Sequence, residues 1–235
     1  MTLPTPAYQK DGITLYHGEA EDMFPALRAA GVRVGAIIAD PPYCSGGTAR
    51  EATGKTPAQK YVLSGVALER PDFGGDQRDQ DSFRLWCAHW MRLAQRIAKP
   101  RCYLSAFIDV RNLAPMIQAV QMGGWRFTDV IPWDKTLGGS RPSKGWFRKQ
   151  AEFAVIGTLG SLGSEQGREG KCHDGIFRAP RTPAEKARHM HAKPLSVMKG
   201  LMGPAADIGA KAVILDPFVG SGSTLLAARE LGLQC

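Results

Sequence analysis

The chain has 235 residues, 43% of them hydrophobic, and a net charge of +8. That is enough apolar material to bury the core of one domain, yet no apolar run approaches the ~20 residues that a bilayer-spanning helix needs. Met1 to Lys10 holds Pro4 and Pro6 and lacks the apolar core of a secretory signal, so a cytoplasmic location is expected. The five cysteines (Cys44, Cys87, Cys102, Cys172, Cys235) form no CxxC pair, and their odd number argues for reduced thiols over a disulfide framework. Cys172-His173 with His189 and His191 fits no standard zinc spacing, and no metal site is expected.

In chain order, Tyr8 to Tyr16 leads into a first strand. Glu19 to Asp22 opens a helix that runs through Phe24, Leu27 and Ala30 to a stop at Gly31, with acids in the first turn as the helix dipole favours. Val34 to Ala39 is apolar and β-branched and reads as a short buried strand. Residues 44–81 are rich in Gly, Lys and Asp and only weakly periodic, which predicts a flexible loop facing the substrate, with Lys55, Lys60 and Tyr61 as candidate contacts. Phe83 to Ala98 has the three- and four-residue apolar spacing of an amphipathic helix, ended by Lys99-Pro100, and its tryptophans read as core. A strand over Cys102 to Ile108, a helix over Asn112 to Gln121, and strands over Trp125 to Trp133 and Phe153 to Leu159 follow. Residues 160–190 show no period; Ala212 to Leu215 is a short strand and Leu225 to Leu231 a helix. The alternation predicts a single α/β domain over residues 1–235, with helices on both faces of a mainly parallel sheet.

Two stretches carry the chemistry. Asp40-Pro41-Pro42-Tyr43 follows the strand at Val34 to Ala39. Neither proline can donate to a ladder, and the residue before a proline is held extended, so Asp40 belongs at the strand's carboxyl end. A carboxylate, a free carbonyl and an aromatic ring at the mouth of an α/β sheet suit a planar base with an exocyclic amine. A Pro-Pro turn with a solvated Asp is the plainer alternative. Asp216 to Thr224 forms a Gly-rich turn between a strand and a helix, the layout of a nucleotide-type cofactor site. It lacks the P-loop lysine, and Leu225 stands at the third glycine position of a dinucleotide fingerprint.

Together and in this order, the two stretches resemble the S-adenosylmethionine-dependent amino-methyltransferases of DNA. Asp40 to Tyr43 looks like their catalytic motif and Asp216 to Gly222 like their cofactor motif. The catalytic motif comes first, as in the β group, many of which are restriction-modification or phage enzymes. Gly18-Glu19, Ile131 to Lys135, Phe147 to Val155 and His191-Ala192-Lys193-Pro194 resemble further family elements, so the likeness spans nearly the whole chain; the last of these has one spacer residue fewer than the family pattern. The resemblance implies a Rossmann-like methyltransferase fold in permuted order and S-adenosylmethionine as cofactor. It places Asp40, Pro41, Pro42 and Tyr43 in catalysis. Glu19, Asp40, Lys193, Asp216, Phe218, Gly220, Gly222, Ser223 and Thr224 fall at the cofactor, with Glu19 near its adenine. On this reading Asp40 and the Pro41 carbonyl accept the hydrogens of adenine N6, Tyr43 stacks on a base flipped out of double-stranded DNA, and a homodimer is left open. Cytosine-N4 methylation is the nearest alternative, since Asp at position 40 leans to adenine and Ser to cytosine. A relative acting on a protein glutamine would more often show Asn there. The alternative of another kind is a DNA-binding remnant without activity.

Charge placement supports a DNA partner. Residues 135–200 hold 13 Lys or Arg against 5 Asp or Glu, and the rest of the chain holds 17 of each sign. Solvated faces often look like this, but this excess falls where the family carries its recognition region, here a small insert over 160–190. Lys144, Arg148, Lys149, Arg178, Arg181 and Arg188 are the candidate phosphate contacts. The resemblance implies a further strand between the cofactor strand and the strand near Ile13, followed by an acid for the ribose, and that position is expected to be empty or held by a few residues. Only Leu231 to Cys235 stands there.

Overall fold

The structure is a computed structural model that describes residues 2–45, 78–137, 144–160, 171–180, 182, 192–208 and 212–235. Most of the 44–81 loop, with Lys55, Lys60 and Tyr61, lies outside the described residues, as do much of the 160–190 insert, Arg181, Arg188, His189 and His191. The strands are β1 (Tyr8–Lys10), β2 (Ile13–Leu15), β3 (Val34–Ala39), β4 (Ala98–Ile108), β5 (Arg126–Asp134), β6 (Ala151–Thr158), β7 (Phe177–Arg178) and β8 (Ile214–Leu215). The helices are α1 (Ala20–Ala29), α2 (Gln80–Gln95), α3 (Leu113–Met122), α4 (Leu195–Ile208) and α5 (Ser223–Glu230). Among the described residues, no helix is long and apolar enough to cross a membrane.

A six-stranded sheet runs in the order β7-β5-β6-β4-β3-β8. The β3–β4, β3–β8 and β5–β7 pairs are parallel, whereas β6 is antiparallel to both β4 and β5. The sheet is therefore mixed, with β6 the reversed strand in an otherwise parallel set. This arrangement brings the carboxyl ends of β3, β4, β5, β7 and β8, and the amino end of β6, to one edge. Open α/β sheets bind ligands at that edge.

Period-two alternation divides the core between two faces. Ile37 and Ala39 of β3, with Leu104, Ala106 and Ile108 of β4, pack with Phe24 and Leu27 of α1, Phe83, Trp90 and Met91 of α2, and Met116 and Val120 of α3. Ala36 and Ile38, with Tyr103 and Phe107, turn the other way, toward Val197, Met198 and Met202 of α4 and Ala227 and Ala228 of α5. Helices thus cover both faces.

Two boundaries differ from the sequence expectation for local reasons. Helix α2 starts at Gln80, three residues before Phe83, because Asp79 caps it: its Oδ1 accepts from the Ser82 amide at 2.8 Å and the Ser82 hydroxyl at 2.6 Å. Lys99-Pro100 does not merely end that helix; it lies inside β4. The pairing jumps from Val34–Ala98 to Ala36–Tyr103, and Arg101 has φ +66°, so Pro100 sits in a bulge where its missing N–H breaks no ladder bond.

Beyond β8, Gln234 bridges Val213 in parallel fashion. The Cys235 amide donates to the Gly12 carbonyl at 3.0 Å, and the Thr14 amide donates to the Cys235 carbonyl at 2.8 Å. Gln234 and Cys235 therefore occupy the position between β8 and β2, and the β1–β2 hairpin extends the same layer.

Candidate active site

Strand β3 delivers Asp40 to the carboxyl edge, and the Pro-Pro turn carries Tyr43 back beside it. Lys193 engages Asp40: its Nζ lies 2.7 Å from both carboxylate oxygens. Lys193 comes from the segment that enters α4, and its side chain is only 8% exposed. It also lies 3.5 Å from Glu152 Oε2 and sits over the rings of Tyr43 and Phe107 at 5.2 and 5.0 Å. Glu152, at the amino end of β6, accepts from the Tyr43 hydroxyl at 2.9 Å and pairs with Lys135 at 3.1 Å. Asn112, buried at the start of α3, donates to the Tyr43 carbonyl at 2.7 Å. Tyr43 is thus held at both its ring tip and its backbone.

The electrostatics follow from two carboxylates gathered around the buried Lys193, with half-buried Lys135 beside Glu152. Burial pushes Glu152 up, but Lys193, Lys135 and their hydrogen bonds hold it down at about 2. Burial raises the Asp40 carboxyl above its ordinary value despite the pull of Lys193. Burial also works against the Lys193 charge, and Asp40 and Glu152 together overcome it and raise that pKa, so the ammonium persists. Burial and the adjoining Asp40 and Glu152 lift the Tyr43 phenol well above its usual range, which keeps it a hydrogen-bond donor.

The second stretch lies on the adjacent strand, since β8 pairs with β3. Asp216 folds back on its own turn, accepting from the Phe218 amide at 2.8 Å. Burial pushes its carboxyl up to about 6 against the Thr224 and Phe218 hydrogen bonds, and the charge of Asp40 adds to the rise. Gly220 and Gly222 have φ of +49° and +76°, which side-chain-bearing residues rarely adopt, and a Cβ on Gly222 would meet nothing within 4 Å. Among the described residues no side chain caps α5, whose first turn holds buried Ser223 and Thr224 and leaves its N–H groups without intrahelical partners. Phe218 packs against Trp86 and Trp90 at ring-centroid distances of 5.6 and 5.3 Å. Trp86 therefore borders this turn, while Trp90 is fully buried core. Glu19 is exposed just past β2, at the amino end of α1.

No family model matches the chain. The type II methyltransferase M2.LlaDCHI of Lactococcus lactis subsp. cremoris is 23% identical over 242 residues, spanning 97% of this chain and 84% of the relative. Among solved structures, the M1.HpyAVI–SAM complex superposes with a TM-score of 0.65 at 20% identity, over 94% of this chain and 90% of that one. The cytosine-N4-specific PvuII DNA methyltransferase gives 0.64 at 11% identity, over 98% and 82%. The chain has a Rossmann-like methyltransferase fold.

Within this methyltransferase fold, the basic candidates fall into two groups. Lys144, Arg148 and Lys149 are exposed in the segment that joins β5 to β6. Arg178, on β7, is exposed but already paired, with its Nε 2.9 Å from Asp134 Oδ2. Asp134 also accepts from Gln150 at 2.6 Å, so Arg178 reaches the base of the same β5–β6 arm. Lys193 proves to be an Asp40 and Glu152 partner, a role the sequence did not suggest. Glu152, Lys135 and Asn112 were missed as site residues. One signal was available: Glu152 is the lone charged residue in the strand Ala151–Thr158.

Proposed function

We propose that this protein is an S-adenosylmethionine-dependent DNA methyltransferase of the β-group motif order, acting on the N6 amine of adenine in double-stranded DNA. The observation that carries the reading is the adjacency of two sites on paired strands: Asp40 and Tyr43 after β3, and the glycine turn with an uncapped helix after β8. The residues fit a zwitterionic sulfonium. Asp216 and Asp40 feel one another's charge and offer a cation two carboxylates, and the amino end of α5 offers a carboxylate its N–H groups. Asp216, Phe218, Gly220, Gly222, Ser223 and Thr224 would hold the cofactor, with Glu19 toward its adenine. The cofactor supplies an electrophilic methyl group on positively charged sulfur.

The chain's own residues prepare the nucleophile. An exocyclic amine is weak because its lone pair is delocalised into the ring. Asp40 and the Pro41 carbonyl accept its hydrogens and favour a tetrahedral nitrogen with the lone pair free. Pro42 keeps that turn rigid, and Tyr43, clamped by Glu152 and Asn112, offers a ring for the flipped base to stack on. The target amine competes with the Lys193 ammonium for the Asp40 oxygens, and Glu152, 3.5 Å away, is the second anion to which Lys193 can turn. When the nitrogen gains the methyl it must shed a proton, and Asp40 is the base in contact with it. The biological setting that fits is restriction-modification, in host or phage, in the cytoplasm, as a monomer or homodimer.

Incubation with labelled S-adenosylmethionine and DNA, followed by nucleoside analysis, tests the proposal. N6-methyladenine is the expected product. N4-methylcytosine is the second reading, favoured by the likeness to the PvuII enzyme. Absence of label on DNA would leave a DNA-binding remnant.

A further inference from the structure

The β5–β6 connection carries a feature that methyl transfer at Asp40 does not explain. Trp146 and Phe147 are 77% and 81% exposed, and their rings meet edge to face at a centroid distance of 5.7 Å. Adjacent exposed large aromatics are a costly surface for a protein to keep, and such patches mark contact sites. These two sit on a shaped arm. The Lys135 amide donates to the Gln150 carbonyl at 3.0 Å, the Gln150 amide to the Arg148 carbonyl at 2.9 Å, and the Arg148 guanidinium to the Leu137 carbonyl at 3.3 Å. Gly145 turns the chain at φ +71°.

The arm springs from the site itself. Its base holds Lys135 and Glu152, which contact each other, and Glu152 contacts Tyr43. Phe147 precedes Glu152 by five residues, so it lies within ~17 Å of it along even a fully extended chain. The arm leaves from the same carboxyl edge of the sheet that presents Asp40.

Its charge selects the occupant. Lys144, Arg148 and Lys149 flank the aromatic pair, and residues 144–149 contain no acid. A second copy of this arm would meet it with like charge. A duplex offers the converse: a phosphate rail for the cations, and stacked apolar bases for the rings.

We infer that Trp146 and Phe147 form a wedge that enters the duplex beside the target and stacks on the bases left exposed when the target leaves the helix. The inference rests on the DNA-methyltransferase reading and adds to it a device for opening the duplex. A ring fits the gap, because one base step is roughly 3.4 Å of rise. Removing a base–aromatic stack typically weakens such contacts by about tenfold or more.

The test is the Trp146→Ala/Phe147→Ala double variant, with methyl transfer measured on two duplexes. In one the target base is paired; in the other it faces an abasic position and needs no unpairing. The expected result is a fall of about tenfold or more on the paired duplex, little change on the unpaired one, and recovery on the paired duplex when Trp146 is replaced by Phe alone. Unchanged transfer to paired DNA, or equal loss on both, would overturn the wedge. So would a variant altered only in its oligomeric state, which would make the pair an interface between copies. If the unaltered protein transferred methyl to neither duplex, the methyltransferase reading would fall, and the wedge with it.

Discussion

The amino end of β6 divides two treatments of positive charge only a few residues apart. Inward, buried Lys193 and half-buried Lys135 are matched by Asp40 and Glu152 at 2.7 to 3.5 Å. Outward, Lys144, Arg148 and Lys149 stand exposed around two aromatic rings. A buried charge must be paired or it is lost by desolvation, so Lys193, with Lys135 beside it, is committed to a fixed place against Asp40 and Glu152. An exposed cation keeps its hydration and remains available to a polyanion, at an affinity that salt controls. The same residue types thus serve geometry in one place and long-range attraction in the other.

The largest effect should come from the interior. Asp40→Ala should reduce methyl transfer by ~10²-fold or more, because it removes a group that acts on the reacting amine. Circular dichroism should show the fold retained, and near-normal turnover would remove Asp40 from catalysis. Next, Glu152→Gln keeps the shape but leaves Lys193 and Lys135 short of a charge. Glu152 has a folded pKa of about 2 against an ordinary 4.5. A depressed carboxyl stabilises the fold fully above its unfolded pKa, and the contribution disappears as pH falls through the folded value. Its size is about 3 kcal/mol. Urea midpoints of wild type and variant should therefore differ most at neutral pH and converge between 4.5 and about 2. A pH-independent gap would mean that the effect is packing.

Tyr43 sharpens the comparison further. Tyr43→Ala should reduce activity more than Tyr43→Phe, since stacking needs the ring. The hydroxyl is bonded to Glu152, so the Phe variant should lose stability, by about 1–3 kcal/mol, while keeping most of its turnover. Equal loss of turnover in both would assign the hydroxyl to the substrate. The smallest effects should be outside. Lys149→Gln should flatten the log–log salt dependence of DNA binding by about 0.9 if it meets one phosphate. Arg178→Gln should change it less, because Asp134 already offsets that charge; an equal change would show that the pair opens on DNA.

Much of this was legible in the sequence, and the reasons differ from residue to residue. Asp40 at a strand's carboxyl end follows from local rules: an apolar run, then two prolines. The turn at Gly220 and Gly222 is equally local. The partnership of Asp40, Lys193 and Glu152 is not, because it depends on β6 running antiparallel to β4 and placing its amino end at the edge where β3 finishes. Strand direction is a property of the assembled sheet, and an alternating pattern reads the same in either direction. The Pro100 bulge was hidden for a related reason, since a proline after an amphipathic run looks like a helix stop until its neighbour strand is known.

The hydrogen bonds that join Thr14 and Gly12 to Cys235 bear on how the molecule is made. Those partners lie about 220 residues apart in the sequence, so the closure entropy of that pairing is recovered only after everything between has condensed. During synthesis, β2 emerges well before Gln234 and Cys235, and the edge that they pair stays open until they leave the ribosome. Docking of the β1–β2 hairpin onto this layer is thus expected to follow condensation of the residues between, and the nascent chain carries an open strand edge over that interval.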